Sequence, residues 1–197
     1  TCALPIFSTI LDLLVRALQP VSPATLQEEL RSIQEQIYRL NQVTTSLERL
    51  IQNPEHHQRR VDVHRTMEKA VDVVRMLYSR HAVEFHLAAE ASGAQLRGNE
   101  ITLEQALIHV LSNAAEAMPD GGVVTIRCRL EKSERTLYIE IRDQGEGMSR
   151  QECEKALLPF YRNKSGDHLG LGLPTAFRIF DVHGGGMELV STPGEGT

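Results

Sequence analysis

The first fifty residues carry two stretches in which apolar side chains recur every three or four positions. This spacing predicts two helices, separated by the turn at 19–23, where two prolines interrupt the pattern. The second stretch keeps a heptad alternation with one polar member. The apolar positions are Leu4, Phe7, Leu11, Leu14 and Leu18 in the first helix, and Leu26, Leu30, Ile33, Ile37, Leu40, Leu47 and Ile51 in the second, with Thr44 as the polar member.

A heptad stripe sustained beyond three repeats favours a partner helix. Two short helices alone cannot bury the apolar faces of both helices. We therefore favour a dimeric four-helix bundle in which residues 1–53 form the homodimer. The alternative is an ordinary helical hairpin packed on its own domain. The polar segment from Asn53 to Arg60 contains the helix-stopping Pro54. We therefore place the domain boundary there, between a helical domain at 1–53 and a second domain at 54–197.

In the second domain, segments in which every second residue is apolar alternate with segments whose apolar residues have helical spacing. Strands are predicted at 61–63, 82–88, 123–130, 136–142 and 187–191, and helices at 65–80, 100–118 and 175–181. Neighbouring strands are predicted to pair as hairpins, whereas the helices occur singly along the chain. The predicted fold class is therefore α+β: a helical hairpin followed by an α/β sandwich, with a mixed sheet covered by helices on one face.

Composition limits the partners of the chain. A formal charge of -5 over 197 residues provides no broad cationic surface, so nucleic acid is not expected as a ligand. Three widely spaced cysteines suit a reducing compartment, and no apolar run reaches the roughly 20 residues of a membrane span. We expect a cytoplasmic protein or the cytoplasmic part of a larger protein.

Three short motifs carry the candidate chemistry. In the long predicted helix, Gln105, His109, Asn113 and Glu116 share one face. A solvated polar face is the ordinary explanation of such a stripe. This one is short and amide-rich, however, and a neutral asparagine oxygen can ligate Mg²⁺ while leaving room for phosphate oxygens.

The second motif runs from Asp143, at the end of a predicted strand, through Gly145 and Gly147 to Met148. A carboxylate there can accept a hydrogen bond from an exocyclic amine. The glycines let the backbone approach a planar ring, and Met148 can form part of an apolar wall. Such turns are also common in loops without any ligand.

The third motif, from Leu169 to Pro174, opens a helix and contains Gly170, Leu171 and Gly172. Free N–H groups at a helix start form an anion site. The preceding loop holds Arg162 and Lys164, which can close over phosphates; an ordinary surface loop is the alternative.

This set of motifs resembles the ATP-binding domain of histidine kinases, within the superfamily shared by gyrase, Hsp90 and MutL, over residues 61–197. Pro159-Phe160-Tyr161 followed by Lys164 is similar to the phenylalanine box of the kinases. The resemblance implies that ATP and Mg²⁺ are bound. It also implies roles for individual residues. Asn113 would ligate the metal, Asp143 would accept a hydrogen bond from the adenine amine with support from Thr197, and Gly145 and Gly147 would shape the base pocket. Lys164 and the turn from Gly170 to Gly172 would face the phosphates under a mobile lid.

The chain also departs from the family pattern. His109 stands where these kinases usually have Asn and the related ATPases a Glu base, so hydrolysis by such a base is unsupported. A neutral imidazole there can still ligate or position. Glu116 stands where many of the kinases have Lys or Arg near the phosphates, so phosphate affinity is expected to depend more on Lys164 and Arg162. His168 replaces the first glycine of the third motif.

The resemblance extends to the N-terminal helices, which are similar to the dimerisation and phosphoacceptor hairpin of the family. No histidine occurs between Thr1 and Ile51, and the resemblance would place the acceptor just before Thr1. We therefore predict a protein histidine kinase that transfers the γ-phosphoryl group of ATP to a histidine, from which a response-regulator aspartate takes it. The alternatives are a non-catalytic, nucleotide-gated interaction module and an ATPase of the gyrase and Hsp90 kind.

Overall fold

The computed structural model describes residues 59–88, 93–131, 133, 135–161 and 170–197. The predicted helical pair, its dimer and the boundary after residue 53 lie outside these residues. Within them the chain forms five strands and four helices. In chain order these are β1 (Arg59–Asp62), α1 (Val63–Leu77), β2 (Val83–Ala88), β3 (Gln95–Gly98), α2 (Glu100–Glu116), β4 (Gly122–Glu131), β5 (Thr136–Arg142), α3 (Arg150–Ala156) and α4 (Gly172–Val182).

The main sheet is mixed and has the order β2-β4-β5. Strands β2 and β4 are parallel, with Phe85 opposite Val124, whereas β4 and β5 form an antiparallel hairpin with Ile126 opposite Ile141. A separate two-stranded sheet pairs β1 with β3. Parallel neighbours require a crossover, and here it runs through β3 and α2.

Alternation along the strands gives the sheet two different faces. The buried face presents Phe85, Val124, Ile126 and Cys128. The opposite face carries polar and charged side chains such as Arg127 and Glu140. The predicted α+β class, with helices over one face of a mixed sheet, is confirmed for this part of the chain.

Both long helices begin at side-chain caps. Asp62 Oδ1 accepts the N–H of Arg65 at 3.1 Å at the start of α1, and Asn99 Oδ1 accepts the N–H of Thr102 at 3.3 Å at the start of α2. Such caps satisfy N–H groups that have no partner inside the helix. Helix α2 is buried on most sides, because even its polar residue His109 is only 7% exposed.

Helix α4 packs against α2, and a small apolar cluster joins them to β1. The cluster consists of Val61, Leu103, Ala106, Ala176 and Ile179. The far end of α4 is tied to the start of α2 through His183. Its Nε2 accepts the N–H of Asn99 at 3.0 Å, and its Nδ1 lies 2.7 Å from the Ile179 carbonyl. Because that carbonyl can only accept, the proton of the neutral ring is on Nδ1.

Three local predictions differ from the structure. Strand β3 and helix α3 were not predicted, and the predicted strand at 187–191 is wrong: these residues pair with no described strand. Only an isolated bridge between Thr192 and Gly196 follows them. Strand β3 has four residues and depends on β1 across more than thirty positions for its hydrogen bonds. Pairing of this kind has no local sequence signal.

Helix α3 does have a local signal, a capping box. Ser149 Oγ accepts the N–H of Glu152, and Glu152 Oε2 accepts the N–H of Ser149 at 2.7 Å. The pattern Ser-x-x-Glu is readable in a sequence. None of the helices in the described part of the chain is long and apolar enough to cross a bilayer.

Candidate functional site

Asp143 lies directly after β5 and is 3% exposed. Its Oδ1 accepts two backbone N–H groups, from Gly145 at 2.8 Å and from Thr197 at 3.2 Å, while its own N–H donates to the Thr197 carbonyl at 2.8 Å. Burial raises the pKa of Asp143, and the hydrogen bonds from Gly145 and Thr197 partly oppose that rise. A carboxylate has about four lone-pair sites. Asp143 therefore has the capacity to accept from a further donor.

The two glycines of the second motif are required by close packing. A Cβ on Gly145 would lie 2.7 Å from the Cβ and the carbonyl oxygen of Ala117. Gly147 has φ +64°, and a Cβ there would overlap the Thr192 carbonyl. The N–H of Glu146 also donates to the Ala117 carbonyl at 3.3 Å. The second motif is thus fastened to the end of α2, which carries the first.

Ser191 joins the loop around Met148 to the glycine-rich segment at 192–197. Its Oγ accepts the Met148 N–H at 2.7 Å, donates to the Gly196 carbonyl at 2.8 Å and lies 3.0 Å from Thr197 Oγ1. A Cβ on Gly196 would overlap the Asp143 carbonyl. These contacts hold Thr197 beside Asp143. Ser191 itself was not predicted, since a lone serine in a loop carries no distinguishing pattern.

The polar face of α2 divides into separate environments. His109 is buried beside α4: a Cβ on Gly172 would lie 3.5 Å from its Nδ1. Asn113 is half-buried, and its carbonyl accepts the Ala117 N–H at 3.1 Å. Glu116, at the end of the helix, accepts a hydrogen bond from the Tyr78 hydroxyl. Tyr78 was not predicted to be near the site, because it belongs to another helix.

The third motif sets the start of α4 beside α2. Gly170 has φ +66°, and its carbonyl accepts the Phe160 N–H at 3.1 Å. Leu171 is the N-cap residue and makes no side-chain capping bond, and no side chain of the described residues caps the first N–H groups of α4. Pro174 in the first turn lacks an N–H to satisfy. Arg162, Lys164 and His168 lie outside the described residues, and so does the predicted lid.

These residues fit a magnesium nucleotide. Within the described part of the chain, no three His, Cys, Asp or Glu side chains are grouped to hold a metal ion by themselves. With Asn113 as one ligand, Mg²⁺ would take further ligands from the phosphates of the nucleotide and from water, as it commonly does in proteins. The uncapped start of α4 suits the phosphates, and the buried acceptor Asp143 suits a base with an exocyclic amine.

A surface groove of about 320 Å³ lies elsewhere, on the outer face of the sheet. It contains Arg127, Glu140 and Arg142 together with Gln144 and Glu195, and none of the predicted site residues lines it. The groove and α2 lie on opposite faces of the main sheet. Cavity size therefore does not locate the site that the motifs indicate.

The family of the chain follows from comparison with known proteins. Residues 98–197 match the model of the histidine kinase-, DNA gyrase B- and HSP90-like ATPases. Sporulation kinase C of Bacillus subtilis (strain 168) is 37% identical over 108 residues, which cover 55% of this chain and 24% of that protein. The chain belongs to this ATPase family.

Solved structures agree with this assignment. A mycobacterial sensor histidine kinase, MprB, is 27% identical with a TM-score of 0.54, over 65% of this chain and 81% of that chain. Full-length ShkA in complex with AMPPNP shares the fold at 18% identity, with a TM-score of 0.70 over 90% of this chain and 38% of that chain. The predicted histidine kinase catalytic core is confirmed.

The match has a limited extent. The chain spans 24% to 34% of the length of the first curated relatives that it matches. The activity, substrates and partners of a whole protein of this kind are therefore proposals for this chain. The individual site residues and Mg²⁺ likewise stay predictions.

Proposed function

We propose that this chain binds Mg²⁺ and ATP at the face formed by α2, the Asp143 loop and the start of α4, and that it transfers the γ-phosphoryl group to a histidine imidazole. The observation that carries the proposal is the junction of the three motifs: the Asp143 loop is fastened to Ala117 at the end of α2, and Gly172 lies beside His109 of the same helix. Sequence separation alone does not require this convergence.

The base end is proposed to select adenine. Asp143 is buried and held by two backbone donors, so its carboxylate has a fixed direction. A fixed acceptor in a site shielded from water discriminates well, because a base without a matching donor leaves the carboxylate unpaired. Gly145, Gly147 and Met148 supply the surface that the ring would contact.

The phosphate end is proposed to neutralise charge. Asn113 would hold Mg²⁺ through its side-chain oxygen, and Gly170, Leu171 and Gly172 would direct backbone N–H groups at the phosphates. Lys164 and Arg162 are proposed to add cations, with His109 as a positioning group. When bound, Mg²⁺ supplies charge neutralisation and orientation. Phosphoryl transfer depends on these two effects more than on covalent chemistry by the protein.

In the transfer step, an imidazole nitrogen of the acceptor histidine forms a bond to the γ-phosphorus. The bond from that phosphorus to the bridging oxygen breaks, ADP leaves with its electron pair, and the phosphorylated imidazole loses one proton to solvent. The proposed partners are a second copy of the chain through residues 1–53 and the receiver domain of a response regulator, whose aspartate then accepts the phosphoryl group. We propose the cytoplasm as the place where this occurs.

The test has two parts. Titration calorimetry with ATP and Mg²⁺ should detect binding to the chain, and Asn113→Ala should remove the Mg²⁺-dependent part of the affinity. Arg127→Ala, on the exposed outer face of the sheet, is the matched control and should bind as the unchanged chain does. Absence of nucleotide binding by the unchanged chain would refute the proposal.

Transfer is measured with γ-labelled ATP, on this chain and on a version extended upstream. Acid-labile label on the longer chain, lost in Asn113→Ala, is the expected result. Good nucleotide binding with no label on either chain would instead favour the interaction module.

A further inference from the structure

A side-chain hydrogen bond links the last residue of α2 to the end of α1. The Tyr78 hydroxyl donates a hydrogen bond to Glu116 Oε1, and both residues are half-buried. Tyr78 is the C-cap residue of α1, so the bond joins the ends of two helices that pack against each other. A hydrogen bond to a carboxylate is among the stronger kinds.

The tyrosine ring has a defined place. Its ring centroid lies 5.5 Å from that of His81, with the planes tilted by 45°. The Tyr78 carbonyl accepts the His81 N–H at 2.8 Å, and the Tyr78 N–H donates to the Val74 carbonyl at 2.9 Å. Backbone and ring contacts together direct the hydroxyl at Glu116.

Glu116 lies close to both the proposed metal ligand and the proposed base pocket. It lies three residues after Asn113, so the two side chains are neighbours on one face of α2. The next residue, Ala117, supports Gly145 of the base loop. A carboxylate at this point, between the proposed metal ligand and the proposed base pocket, would repel a triphosphate if it were free to turn toward it.

We propose that Tyr78 is a positioning residue that holds the Glu116 carboxylate against the end of α1 and off the phosphates of the bound nucleotide. The inference rests on the proposed nucleotide site. It gives the acidic residue at this position a partner that restrains its charge, and it extends the site to a helix that none of the three motifs includes.

The experiment compares Tyr78→Phe, Glu116→Gln and the double variant by calorimetry with Mg²⁺ and ATP, and with adenosine. Tyr78→Phe should weaken ATP binding about three- to tenfold, because the released carboxylate repels the phosphates. Adenosine affinity should change less than about twofold, since adenosine has no phosphate to be repelled. The double variant should bind ATP as Glu116→Gln does, because a neutral amide has no charge to restrain.

Tyr138→Phe is the matched control, since Tyr138 lies on the outer face of the sheet. It should leave both affinities unchanged. An equal loss of ATP and adenosine binding in Tyr78→Phe, or a loss that Glu116→Gln does not relieve, would show a structural role and overturn the inference. An unchanged ATP affinity in Tyr78→Phe would also overturn it. Failure of the unchanged chain to bind either ligand would refute the nucleotide site, and the inference with it.

Discussion

The two ends of the proposed site are built in different ways. At the base end, Asp143, Ser191 and Thr197 are linked by hydrogen bonds of 2.7–3.2 Å that run between side chains and backbone. At the phosphate end, the start of α4 presents N–H groups without a side-chain cap. The base end is therefore held together by its own hydrogen bonds, whereas the first N–H groups of α4 receive no such bond from a described side chain.

This difference separates stability from function. A substitution at the base end changes groups that also hold the loops together, so both the free energy of unfolding and the nucleotide affinity should change. A substitution at the start of α4 removes little that the folded protein uses. There, affinity should change while stability does not.

The largest expected effect is on affinity at the base end. Asp143→Asn should weaken ATP binding about 30- to 100-fold, because a charge-assisted hydrogen bond to the base is worth about 2–3 kcal/mol. Calorimetry measures the change, and thermal unfolding without nucleotide tests whether the fold persists. ATP affinity within twofold of the unchanged chain would remove Asp143 from the site.

A second substitution tests whether the base end also carries stability. Gly147→Ala should lower the free energy of unfolding by about 1–3 kcal/mol, because the position needs positive φ and its Cβ would overlap a carbonyl. Chemical denaturation is the measurement. Gly194→Ala is the matched control: its φ is +81° but nothing lies within 4 Å of the added Cβ, so its loss should be smaller. Equal losses in the two variants would show that the positive φ alone, and not the overlap with the carbonyl, causes the loss of stability.

The free energy of unfolding of the unliganded domain should depend on pH through the titration of Asp143. Burial raises its pKa in the folded protein, so folding favours the protonated form. The stabilisation that results is present at acid pH and is lost as pH rises through the raised pKa. Asp143→Asn should therefore unfold at higher denaturant concentration than the unchanged chain at neutral pH.

That advantage should shrink on acidification, because protonated aspartate resembles asparagine. Denaturation curves at neutral and acid pH measure it. An advantage that is independent of pH would exclude Asp143 as its source.

The smallest expected effect is on stability at the phosphate end. Gly172→Ala should change the free energy of unfolding by less than about 1 kcal/mol, because alanine suits a helix and the new Cβ makes only ordinary contact with His109 at 3.5 Å. ATP affinity should nevertheless fall, and adenosine affinity should not. Denaturation and calorimetry on one preparation check both statements. A large loss of stability would erase the contrast between the two ends.

Local signals in the sequence were sufficient for most elements. The 136–142 strand was predicted with the bounds it has, and α2 was placed within two residues at its end. Helix α3 was overlooked although its capping box was readable, whereas β3 was beyond local reasoning. The strand predicted at 187–191 failed for the same reason, since a strand exists only through its partner.

The sequence by itself determined which chemistry is available: an amide on a helix face, a carboxylate before a glycine turn and a glycine-rich helix start, because these are local features of composition and spacing. Only the tertiary structure decided how they meet. It buried His109 against α4, gave Asp143 its donor from Thr197, and directed Tyr78 at Glu116. These contacts join positions far apart in the chain, and the packing that creates them depends on the whole core.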